Sequence, residues 1–96
     1  MKIVKPAVAG TLESSDCQVT VESGQGEVEL ELTSSVISQY GEQIENVIRE
    51  TLDKLAVESV KITVVDKGAL DCTIRARVEC AVYRANGQTG PWREIA

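Results

Sequence analysis

Glu27-Val28-Glu29-Leu30-Glu31-Leu32-Thr33 places an apolar side chain at every second position and a polar one between. A period of two belongs to a strand with one covered and one wet face. Val28, Leu30 and Leu32 are therefore expected against a core, and Glu27, Glu29 and Glu31 in water. Just ahead, Cys17, Val19 and Val21 alternate with Gln18 and Thr20 in the same way. Ser23-Gly24-Gln25-Gly26 between the two runs reads as a turn. Earlier still, Pro6 to Leu12 is an apolar run in which Gly10 marks a bulge or a close approach of backbones. Three strands joined by short turns predict an antiparallel meander with one acidic, solvated face.

After Thr33 the period changes. Ile37, Tyr40, Ile44, Val47, Ile48, Leu52 and Leu55 recur every three or four residues, so Val36 to Ala56 is read as a helix with one apolar stripe. Ser34 and Ser35 are the N-cap candidates. Gly41 inside it costs about 1 kcal/mol relative to alanine, which points to close packing there. Ser59 to Asp66 returns to period two, with Val60, Ile62 and Val64 on one face and Lys61 and Thr63 on the other. Lys61 is placed to meet a glutamate of the third strand, an exposed pair worth about 0–1 kcal/mol. Leu70, Ile74, Val78, Ala81, Val82 and Ala85 form a second helical stripe; Thr73 to Val78 also alternates as a strand would, but the pattern runs sixteen residues and helix is preferred, with Asp66 as its expected cap and Asn86-Gly87 as its stop. The expected class is α+β: an antiparallel β-meander plus a further strand, covered on one face by two helices, in the order β-β-β-α-β-α.

The 96 residues suit one domain, residues 1–96, whose last stretch, 88–96, is a tail carrying Trp92. With Tyr40, Tyr83 and Trp92 as the aromatics, the core must be built from Val, Ile, Leu and Ala. No apolar run is long enough to span a membrane and the start has no signal-like block, so a soluble cytoplasmic protein is expected. The odd set of Cys17, Cys72 and Cys80, without a Cys-x-x-Cys spacing and without histidine, suggests neither a disulfide framework nor a zinc site. Cys72 and Cys80 are expected as buried thiols. A formal net charge of −5 argues against nucleic acid and favours partners with basic surfaces.

Between the first two strands lies Ala9-Gly10-Thr11-Leu12-Glu13-Ser14-Ser15-Asp16. Ser, Asp and Gly accept turn geometry, so the tip presents Ser14 and Ser15 outward, flanked by Glu13 and Asp16. A serine there is most often only a turn former. Without histidine to act as a base, and with carboxylates expected in water, a self-activated nucleophile is not favoured and the chain is not expected to be an enzyme by itself.

This segment, with Lys2-Ile3 and Pro6-Ala7-Val8-Ala9-Gly10 before it, resembles the start of the citrate lyase acyl carrier proteins, the gamma subunits of that lyase. A second block, Asp66-Lys67-Gly68-Ala69-Leu70-Asp71-Cys72 followed by Ile74-Arg75-Ala76-Arg77 and Glu79, is similar to the same family. The resemblance implies a non-catalytic carrier, a phosphoprotein in the sense that a serine bears 2'-(5''-phosphoribosyl)-3'-dephospho-coenzyme A through a phosphodiester. The thiol of that group carries acetyl and citryl thioesters while citrate is cleaved to oxaloacetate and acetate. It implies the citrate lyase alpha and beta subunits and a prosthetic-group transferase as partners, and no nucleic acid or membrane. The attachment residue carries over to Ser14, with Ser15 as the runner-up; glycine follows the serine in some relatives. Two alternatives stay open: the acyl carrier of a malonate decarboxylase, and an unmodified acidic protein–protein interaction module. The second block has either a docking role or one in capping and core packing.

Overall fold

In the computed structural model, which describes residues 1–87 except the side chain of Ser38, the elements run β1 (Ala7–Gly10), β2 (Cys17–Ser23), β3 (Val28–Ser34), α1 (Ile37–Lys54), β4 (Val60–Asp66) and α2 (Asp71–Asn86). The expected α+β class and the order β-β-β-α-β-α are those observed. The expected tail with Trp92 lies outside the described residues. No described helix is long and apolar enough to cross a membrane.

The strand pairing is more specific than a meander. The sheet order is β1-β2-β4-β3: β1 pairs with β2 antiparallel, as a meander requires, but β4 enters between β2 and β3. It lies antiparallel to β2 and parallel to β3. Val60, Ile62 and Val64 of β4 are wholly buried, whereas Val28, Leu30 and Leu32 of β3 are half-buried beside exposed glutamates. The more apolar strand takes the centre and the glutamate-bearing one the edge, where charge also discourages further pairing. Parallel neighbours need a crossover, and α1 supplies it.

The glycines at 24 and 26 therefore serve a different connection from the one expected. The segment Gly24–Glu27 crosses the end of β4 instead of closing a hairpin: the Glu27 carbonyl accepts from the Val60 amide at 3.1 Å, and the Ser59 hydroxyl accepts from the Gly26 amide at 2.9 Å. A Cβ on Gly24 would stand 2.4 Å from the Val60 nitrogen, so only glycine allows the chains to pass this close.

Both helices share one core with Cys17, Val19 and Val21 of β2 and Val60, Ile62 and Val64 of β4, with α2 against β1 and β2 and α1 beside it towards β3. Ile44, Val47, Ile48 and Leu52 of α1 are buried there, as are Ile74, Val78, Ala81, Val82 and Ala85 of α2. The opposite face is polar, and the register sets Lys61 between Glu22 and Glu29. The Cα register thus brings the expected glutamate beside Lys61, although the ion pairs observed among the described residues lie elsewhere.

Three helix-end and cysteine expectations change. Asp66 does not cap α2, whose N-cap is Leu70; its buried carboxyl accepts from the Gly68 and Ala69 amides at 3.1 and 2.9 Å. For α1, the Ser34 hydroxyl accepts from the amide of Val36, the N-cap residue, at 3.1 Å, a turn before the helix instead of at its cap. Of the cysteines only Cys17 is buried; Cys72 is exposed and Cys80 half-buried. Eight residues along a helix of 3.6 per turn end about 80° off the starting face, and the core side of α2 belongs to Ile74, Val78 and Val82. Gly87, left-handed at φ 84°, does end α2 as expected.

Candidate functional site

The connection from β1 to β2 occupies residues 11–16, and within it Glu13 to Asp16 form a tight turn closed by the Asp16 amide donating to the Glu13 carbonyl at 3.2 Å. Ser14 and Ser15 are its two central residues. Ser15 is left-handed, φ 64°, the dihedral that a type II turn asks of its third residue and that glycine supplies most readily. Both serines are exposed, and neither hydroxyl hydrogen-bonds within the described residues.

Asp16 does not project into solvent as expected. Its side chain is 14% exposed and meets Arg77 of α2 in a bidentate pair, Nε to Oδ1 at 3.0 Å and Nη2 to Oδ2 at 2.9 Å. The Thr11 hydroxyl donates to Oδ2 at 2.7 Å and the Cys17 amide to Oδ1 at 2.7 Å. One carboxylate thus joins both ends of the loop to the helix behind it. The Arg77 guanidinium, with Thr11 and the Cys17 amide in support, holds this carboxyl well below the usual carboxylate range. Burial pushes the neighbouring Cys17 thiol up to about 11, helped by the charges of Asp16 and Asp66.

A second anchor comes from the segment after β4. The Ser15 amide donates to the Lys67 carbonyl at 2.8 Å, and the Lys67 amide to the Asp16 carbonyl at 2.9 Å. Asp66 fixes that segment in turn, with the Ser34 hydroxyl donating to its Oδ2 at 2.7 Å. At the loop's base a Cβ on Gly10 would lie 1.9 Å from the Cys17 carbonyl oxygen, which is the close approach expected at this glycine.

The two blocks that carry the sequence resemblance are therefore one site in space. Thr11 to Asp16 supplies the serines, and Lys67 and Arg77 hold them. In the sequence Arg77 stands out only as a member of the second of those blocks. Its partner lies 61 positions away, beyond any helical or strand period, so the pairing has no local signal. Among the described residues no group of three or more His, Cys, Asp or Glu side chains is placed to hold a metal ion.

The model of the malonate decarboxylase delta subunit family matches residues 4–85. A citrate lyase acyl carrier protein of Lacticaseibacillus casei is 53% identical, over 99% of this chain and 95% of its own. Those of Haemophilus influenzae and Pectobacterium atrosepticum are each 50% identical over 99% of this chain. The chain belongs to the citrate lyase acyl carrier protein family. A chain in the crystal structure of a Pseudomonas malonate decarboxylase hetero-tetramer in complex with malonate superposes with a TM-score of 0.78 at 22% identity, covering 88% of each chain, so the family's fold extends to it. Membership gives the serine turn a context: acyl carriers bear a covalent prosthetic group, and here an exposed hydroxyl stands on a turn braced from two sides.

Proposed function

We propose that this chain is the acyl carrier subunit of a citrate lyase and that Ser14 is the residue to which its prosthetic group, 2'-(5''-phosphoribosyl)-3'-dephospho-coenzyme A, is attached. The observation that carries the reading is the placement of Ser14: an unengaged, exposed hydroxyl on a turn clamped by Asp16–Arg77 and by the Lys67 carbonyl. A transferase needs a reachable oxygen in a fixed position, because a displaced nucleophile loses the benefit of orientation. Ser15 stands where the turn's backbone favours glycine, φ 64°, and glycine follows the attachment serine in some members of the family that the sequence resembles, which favours Ser14 over Ser15.

No side chain among the described residues activates Ser14. Glu13 is exposed, and Asp16 is committed to Arg77, so the base must come from the transferase. Attachment forms a bond from the Ser14 Oγ to phosphorus, breaks the bond from phosphorus to the donor's leaving group, and passes the hydroxyl proton to the transferase. When bound, the group supplies a thiol whose acetyl and citryl thioesters exchange readily. The chain's own work is to anchor the group and to present it to the larger alpha and beta subunits, where exchange and cleavage take place. An acidic surface fits basic docking faces on those subunits, and a cytoplasmic setting fits the substrates. Identities of 50% and more to citrate lyase carriers favour this over a malonate decarboxylase carrier.

Intact mass tests the proposal. Chain made together with its transferase gains one coenzyme-A-sized addition, and Ser14→Ala gains none while keeping the unfolding midpoint of the unsubstituted chain. An undiminished addition on Ser14→Ala refutes the assignment.

A further inference from the structure

An open groove of about 630 Å³ lies between the first turns of α1 and α2. Val36, Tyr40 and Ile44 wall one side and Gly68, Ala69 and Leu70 the other. Leu70 is 71% exposed and Tyr40 51%, and neither is needed by the core. Leu70 occupies the N-cap of α2 without a capping hydrogen bond, a position where Ser, Thr, Asp or Asn would serve the helix better.

From this we infer that the groove is the resting place of the arm that Ser14 carries, an acylated pantetheine-type chain with phosphate groups. The inference rests on the carrier reading and extends it. Three observations select this occupant. The groove begins beside the serine turn: the Lys67 carbonyl receives the Ser15 amide at 2.8 Å, and the next residue, Gly68, is already groove wall. The walls are preformed, since Asp66 holds the Gly68 and Ala69 amides and the Gln43 side-chain amide donates to Asp71 at 3.0 Å, tying α1 to α2. Finally, Arg75 lines the groove and, unlike Arg49 and Arg77, forms no ion pair within the described residues. Asp71 also lines the groove, but its carboxylate accepts from the Gln43 amide at 3.0 Å, so Arg75 beside the apolar walls matches a ligand that combines an apolar chain with anionic groups.

A parked arm would have its thioester shielded from water until a partner draws it out. The anion facing Arg75 comes either from the arm's phosphates or from a free carboxylate of the acyl group. Both are properties of the same arm.

The test is an amide NMR comparison of the full chain, unloaded and loaded by its transferase, with intact mass as the check on loading. Loading is expected to shift amides at Gly68 to Arg75 and at Val36 to Ile44 as well as those of the turn. Leu70→Glu, at an exposed position, should load to the same mass while the groove shifts vanish, and Arg75→Gln should reduce them. Shifts near Arg75 already present without an acyl group name the phosphates; shifts appearing with citryl and not with acetyl, which has no free carboxylate, name the carboxylate. A full mass gain with shifts confined to residues 11–16 and 67 overturns the resting place and leaves the carrier reading intact. Groove shifts that arise only on adding a larger subunit overturn it too, by giving the groove to that partner. No mass gain at all overturns the carrier reading itself.

Discussion

At Ser15 the backbone adopts a left-handed conformation that costs an ordinary residue about 1–2 kcal/mol relative to glycine, and it does so next to the hydroxyl proposed to carry the arm. Ser15→Gly relieves that cost but adds freedom to the unfolded chain, worth about 0.4–1 kcal/mol in the other direction. The expected outcome in denaturant unfolding is a small net stabilisation, about 0.5 kcal/mol, with loading unchanged by mass. Arg77 sits at the opposite extreme. Arg77→Gln breaks the bidentate contact to a nearly covered carboxylate, and removing one side of such a pair should destabilise by about 1–3 kcal/mol. Its more telling readout is kinetic: the transferase should load this variant several-fold more slowly under conditions where it remains folded. Loading at the unsubstituted rate would show that the clamp is not needed to present Ser14.

Among the elements, alternation and helical stripes were enough to place every strand and helix, because each buries one side of itself and the period exposes which side. Val28-Leu30-Leu32 is the clearest case; Thr73 to Val78 alternates as well, and there the length of the run from Leu70 to Ala85 decides for a helix. What periodicity lacked was pairing. Nothing local says that β4 lies between β2 and β3, since that depends on comparing how much apolar surface each strand has to hide. The glycines at 24 and 26 hinted at it, but a passage over a strand end and a hairpin look alike in sequence. The serine turn was equally legible from its residue types, while its supports at Lys67 and Arg77 depend on distant contacts. Gly24→Ala tests the crossing: with a Cβ 2.4 Å from the Val60 nitrogen, backbone must move, and a loss of about 2 kcal/mol or more is expected in thermal unfolding. Asp66→Ala should cost a similar amount, because it leaves the Gly68 and Ala69 amides and the Ser34 hydroxyl without their acceptor.

For the molecule as a whole, two side chains at the base of the loop make stability depend on pH. Asp16 titrates lower when folded than unfolded; its contribution is therefore complete above its ordinary value near 4 and is lost as pH falls below that. Cys17 titrates higher when folded, at about 11 against an ordinary value near 9. Folding thus prefers the protonated thiol, and stability should fall as pH rises from 9 towards 11. Unfolding midpoints measured across pH should show both flanks. Arg77→Gln should flatten the acid flank, and Cys17→Ala the alkaline one. The architecture explains why loop and body respond together: one carboxylate joins Thr11 at the end of β1 and Cys17 at the start of β2 to Arg77 of α2, so loosening it frees the turn.

The most direct measurement of the central claim is fragmentation mass spectrometry on peptides from the loaded chain, resolving the segment Thr11 to Asp16. The added mass is expected on Ser14. Its presence on Ser15, on any residue outside this turn, or on none would contradict it.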